Sequence, residues 1–77
     1  MGCLIKLTFT KKFTEKPAMF FLSTYPKEFT KSEIMKKEII NEKMEVSVYV
    51  HMAENRTSRF LKKIVFDSRI FRAEIVA

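Results

Sequence analysis

The acid–base and nucleophilic inventory of this 77-residue chain is short: outside its glutamates it holds one histidine, His51, one aspartate, Asp67, and one cysteine, Cys3. A Ser-His-Asp or Cys-His arrangement strains that inventory, and a metal centre needs three or four converging ligands. No catalytic residue, metal ligand or cofactor is therefore expected, and the chain reads as a non-enzyme. The one catalytic route left open is a small metal-free ribonuclease, with His51 as acid or base and Arg or Lys side chains on the phosphate. A lone strand histidine that merely faces solvent accounts for the same residue more simply.

Binding chemistry is better supplied. Lys and Arg number 15 against 9 acids, a formal net charge of +6 that runs along the whole chain. Such an excess favours polyanions or an acidic protein surface, and it serves solubility equally well. Tyr49 and His51 share one side of a strand-like stretch that Lys6, Lys63 and Arg72 can join on a common sheet face. Rings on such a face stack on nucleobases while cations hold phosphates. Arg56, Arg59, Lys62 and Lys63 form a second, denser cluster. No ribonucleoprotein motif, Gly-rich clamp or zinc spacing accompanies either group, so both also read as solvated surface. For a protein partner, or for a homodimer, the relevant features are open sheet edges and the apolar Val65, Ile70 and Val76 set beside charges.

The elements that must position these side chains follow from hydrophobic periodicity. Leu4 to Phe13 alternates in part, with Ile5, Leu7, Phe9 and Phe13 on one side and Lys6, Thr8, Thr10 and Lys12 on the other, as a half-buried strand does. Glu15-Lys16-Pro17 breaks it, and the aromatic stretch Ala18 to Tyr25 predicts a second strand that Pro26 ends. Thr30 with Glu33 makes a capping box, and Phe29 with Ile34 a hydrophobic staple, predicting a helix over about 31–42. Its apolar stripe is Ile34, Met35 and Ile39, with Ile40 at the rim. Glu45 to Met52 is a clean strand for the middle of a sheet, sending Val46, Val48, Val50 and Met52 one way. Ala53 to Ser58 reads as a turn or a helix entrance. Residues Phe60 to Phe66 fit two forms. A second helix at about 57–66 places Lys62 and Lys63 on solvent and leaves Arg69 to Val76 as the last strand. A hairpin turning at Asp67-Ser68 instead sets Lys63 directly across from Arg72.

The class is α+β in either form: a small, mostly antiparallel sheet of four or five strands on one helix (31–42), with the second helix (57–66) left open, in one domain spanning 1–77. Hydrophobic residues make up 47% of the chain, enough for one core, whereas a domain this small buries only ~60% of its unfolded surface. No apolar run approaches the ~18 residues of a transmembrane segment. A single cysteine and the lack of a signal-like opening point to a reducing cytoplasm. Met1-Gly2-Cys3 has the look of an acylation signal, but Lys6 stands where the pattern wants Ser or Thr, and Cys3 reads as the buried start of the first strand. Asn55-Arg56-Thr57, formally a glycosylation sequon, reads as a turn. The bias toward Lys, Ile, Phe and Met over Gly and Ala suggests an AT-rich genome. Together these features describe a small basic binding protein, of the kind that phages and mobile elements use in the host cytoplasm to inhibit or modulate a host protein or nucleoprotein complex. Direct binding of RNA or DNA is the alternative.

Overall fold

The structure is a computed structural model that describes residues 2–10, 21–29 and 31–76. In chain order it runs β1 (Cys3–Phe9), a helical turn at residues 21–24, α1 (Pro26–Phe29), β2 (Glu33–Ile40), β3 (Lys43–Val50), α2 (Glu54–Ile64) and β4 (Ile70–Ile75). The four strands form one antiparallel sheet in the order β2-β3-β1-β4. Each helix-bearing connection thus joins two strands that have a third between them, which is the split β-α-β, ferredoxin-like connectivity.

Period-2 alternation decides which side of the sheet carries the core. Cys3, Ile5, Leu7 and Phe9 of β1 face the same way as Met44, Val46, Val48 and Val50 of β3, and all eight are buried. The register sets Ile5 against Val48 and Leu7 against Val46, so the two central strands present a continuous aliphatic surface. Phe21, Leu22 and Phe29 from the first connection, with Phe60, Leu61 and Ile64 of α2, cover that surface in a single hydrophobic cluster. Rings interlock across it: Phe9–Phe21, Phe21–Tyr25, Tyr25–Phe60 and Phe29–Phe60 stand with centroids 5.2, 5.1, 5.6 and 5.5 Å apart. Both helical segments lie on this one side, and among the described residues no helix covers the other face of the sheet.

The α+β class holds, as do β1, the central β3 strand and the helical form of the second half. The Asp67-Ser68 hairpin does not form. Two expectations are overturned. Residues 31–42 are not a helix but β2 and a turn. Ser32 instead caps the end of α1, its hydroxyl and N–H both donating to the Phe29 carbonyl at 2.7 and 3.1 Å. Asn41 and Glu42 then adopt positive φ, 51° and 66°, the pair that a tight two-residue hairpin turn demands. A register shift between Ile34 and Lys36 puts Met35 in a bulge, so Ile34 and Ile39 share a side at an odd spacing that imitates a helical stripe. Nor do the described residues of the expected 18–25 strand form one: residues 21–24 are helical, and Pro26 opens α1, where its missing N–H costs nothing. Phe13, residues 18–20 and Thr30 lie outside the described residues.

Asn55, Arg56 and Thr57 belong to α2 and not to a turn. Ala53 starts that helix without a side-chain cap; inside it, Thr57 satisfies its own buried hydroxyl, which donates to the Ala53 carbonyl at 2.9 Å and approaches that of Met52 at 3.5 Å. Thr57→Val keeps the shape and removes the donor, so urea denaturation is expected to show a loss of about 1 kcal/mol.

Candidate functional site

The structure separates the sequence-predicted binding residues into two groups on opposite sides of the sheet. Lys6, Tyr49 and Arg72 lie on the open face, where Lys6 pairs with Ser47 and Glu74, Tyr49 with Leu4, and Arg72 with Thr8. His51 stands exposed just past β3, its ring 5.2 Å from that of Tyr49. Lys63 does not join them, because its segment is helical and α2 packs on the far side. The expected Lys63–Arg72 cross-strand pair does not exist.

The open face is balanced in charge. Lys6, Lys36, Lys43 and Arg72 share it with Glu33, Glu38, Glu45 and Glu74, as the strand registers require. Glu38 and Glu45 sit directly opposite each other, a costly arrangement unless each finds a cation. Lys36 reaches Glu38 at 3.5 Å and Lys6 reaches Glu45 at 3.8 Å. Lys43 is drawn over the Phe71 ring, 4.6 Å from its centroid. Tyr49 is committed as well: its ring lies so close to Gly2 that a Cβ there would come within 2.5 Å of it. An anionic strand laid on this face meets as many carboxylates as cations.

The α2 cluster has a different character. Arg56, Arg59, Lys62 and Lys63 are all exposed, and among the described residues none makes an ion pair. Arg56, Arg59 and Lys63 rim a shallow groove of about 420 Å³ whose other walls are Glu28, Met52 and Phe60. Helix stability does not explain this set. Lys62 and Lys63 in the last turn complement the helix dipole, but Arg56 stands in the first turn, at its positive end. Arg56–Arg59, Arg59–Lys62 and Arg59–Lys63 are like-charge pairs at three- and four-residue spacing, each unfavourable by roughly 0.2–0.5 kcal/mol. Phe66 follows the C-cap Val65 and is 89% exposed, the most exposed large apolar side chain of the described chain. Of the apolar residues expected at the surface, Val65 and Val76 are there, whereas Ile70 is buried in the core.

Sequence reasoning missed a densely hydrogen-bonded polar group. Asp67 accepts from the Arg69 guanidinium on both oxygens, at 2.9 and 2.6 Å, from the Arg69 backbone N–H at 2.9 Å, and from the Tyr25 hydroxyl at 3.2 Å. Arg69 also donates to Thr24 at 3.4 Å and stacks over Phe21, 4.7 Å from the ring centroid. The Arg69 hydrogen bonds hold the Asp67 carboxyl well below the ordinary range, at about 2, against the opposing effect of burial. Burial and the bond to Asp67 push the Tyr25 phenol up. This cluster ties the turn after α2 to the first connection, and its lone pairs and protons are spent on that task. The signal in the sequence was the single aspartate with an arginine two residues on. Cys3 is equally committed, buried with its thiol donating to the Met52 carbonyl at 3.5 Å. His51, Asp67 and Cys3 therefore occupy three separate settings. No group of three His, Cys, Asp or Glu side chains that could hold a metal occurs among the described residues.

Among the described residues no helix is long and apolar enough to cross a membrane. Comparison with known protein families finds no family model that matches the chain, and comparison with curated proteins finds no match either.

Proposed function

We propose that this chain is a small non-catalytic binding protein that modulates a larger protein or nucleoprotein complex by laying the basic face of α2 against an anionic surface of it. The observation that carries this reading is the contrast between the two basic groups. Cations on the open sheet face stand among an equal number of carboxylates from the strands, while Arg56, Arg59, Lys62 and Lys63 have no carboxylate partner among the described residues and repel one another along the helix. A partner that supplies the missing negative charge gains both the new pairs and the relief of that repulsion. The outer strand β2 offers a further contact, since Met35 and Ile39 are 60% and 71% exposed on a strand whose outer edge no other described strand pairs. A phage or mobile-element origin and a cytoplasmic setting belong to the same proposal, from composition and the buried free thiol of Cys3.

Direct binding of nucleic acid by the same face is the second reading, favoured by the exposed Phe66 ring next to the cations. Fluorescence anisotropy with labelled single- and double-stranded DNA and RNA, at low and physiological salt, tests the basic face. Arg59→Gln with Lys63→Gln is expected to weaken binding more than tenfold at low salt. It should also flatten the dependence of log K on log salt by ~1.4 for single strands and ~1.8 for duplex. Unchanged affinity and slope in the double variant would remove α2 as the contact. Turnover of any of these substrates that disappears in His51→Gln would overturn the non-catalytic reading.

A further inference from the structure

The exposure of Phe66 gives the basic face a direction and a preference. We infer that α2 and the residue after its cap form a binding track for single-stranded nucleic acid, in which Arg56, Arg59 and Lys63 hold successive phosphates and Phe66 stacks on a base. The inference rests on the nucleic-acid reading above and deepens it. Residues three and four apart on a helix are neighbours on its surface, so Arg56, Arg59 and Lys63 form one row, about 10 Å long at 1.5 Å of rise per residue. Val65 keeps helical angles, φ −64° and ψ −16°, so Phe66 continues from the Lys63 end of that row. A phenyl ring 89% exposed at the end of a cationic row has no role in the core, which closes with Phe60, Leu61 and Ile64.

Charge complementarity selects the occupant. The row is cationic throughout, with Glu28 the one acid among the described residues that line the groove it borders, whereas the sheet face and the β2 edge carry both signs. A repeating polyanion fits the row. An exposed ring favours a strand whose bases are unstacked and free to lie on it, because a duplex keeps its bases inside and offers only phosphates to this surface. Sequence preference should be slight, since every base has a face to stack.

The test compares the wild type with Phe66→Ala and with Arg59→Gln/Lys63→Gln on four probes: a labelled single-stranded oligothymidylate, the same length of duplex, an abasic strand of equal charge, and vesicles containing phosphatidylserine. Phe66 is outside the core, so Phe66→Ala should keep the wild-type circular dichroism and urea midpoint. The expected result is tighter binding of oligothymidylate than of duplex, weakened at least fivefold by Phe66→Ala with an unchanged salt slope, and an abasic strand bound alike by wild type and Phe66→Ala. If Phe66→Ala binds oligothymidylate like the wild type while the double Gln variant does not, stacking is refuted and the basic-face reading survives. If no oligonucleotide binds at low salt, both fall. Binding to the vesicles alone, lost in Phe66→Ala, would overturn the inference in favour of an anionic lipid surface.

Discussion

Phe21→Ala is expected to remove 3–5 kcal/mol of stability, about what deletion of a fully buried Phe side chain costs. Phe21 is completely buried and stands where three parts of the fold meet. Its ring meets the edge of Phe9 at the end of β1 at 5.2 Å, tilts against Tyr25 at 5.1 Å, and lies under the Arg69 guanidinium before β4. A chain of this length is stable by roughly 4–11 kcal/mol in all, so the substitution takes a large share of the total. Urea denaturation followed by circular dichroism should show the midpoint falling by about a quarter or more, or a chain unfolded without denaturant. Phe66→Ala, which removes the same atoms from a site in solvent, should leave the midpoint nearly unchanged. A loss under 1 kcal/mol for Phe21→Ala would mean that the first connection is not part of the cooperative core.

The elements legible in the sequence were those whose local pattern and tertiary environment agree. In β3 the Val46, Val48 and Val50 alternation matches burial residue by residue, and in β1 Ile5, Leu7 and Phe9 do the same. The illegible ones carry a local signal that the sheet overrides. Residues 33–40 have a capping box and a helix-like apolar spacing, but pairing with β3 satisfies one side of the backbone along an eight-residue strand, and the bulge at Met35 absorbs the irregular spacing. The turn that permits this has Glu42 at a φ where Gly is usual, so the common Asn-Gly hairpin mark was missing. In the first connection, Phe21, Tyr25 and Phe29 recur every four residues, a helical spacing masked by the β preference of aromatic side chains.

The candidate site was legible as a list and not as a geometry. Arg56, Arg59, Lys62 and Lys63 stay together because they sit within three helical turns, and local spacing is all that their grouping needs. Tyr49, Lys6 and Arg72 were also brought to one face, but the carboxylates that share it come from β2, β3 and β4, and β2 was expected to be a helix. A misassigned strand hid three charges of the face, Glu33, Lys36 and Glu38. Whether a cation is free or answered depends on neighbours distant in sequence, which no local pattern reports.

Asp67→Asn should cost about 2–3 kcal/mol at neutral pH, and the cost should shrink in acid. The asparagine keeps the size of the side chain but gives up the carboxylate that takes both bonds from the Arg69 guanidinium, in a pair whose side chains are only 16% and 20% exposed. The carboxyl titrates at about 2 when folded against 3.8 as its ordinary value, so the folded state prefers the ionised form. A depressed carboxylate pKa contributes stability above the unfolded value and loses it as pH falls toward the folded one. The shift corresponds to about 2 kcal/mol at pH 7, of which about half should be gone by pH 3. Wild type and Asp67→Asn, unfolded in urea at intervals from pH 7 to pH 3, should therefore converge as acid is added, the wild type losing stability and the variant losing less. A difference that stays constant across that range would mean that Asp67 acts through its shape and neutral hydrogen bonds, and that the ion pair with Arg69 is not what fastens the turn after α2 to the Phe21–Tyr25 connection.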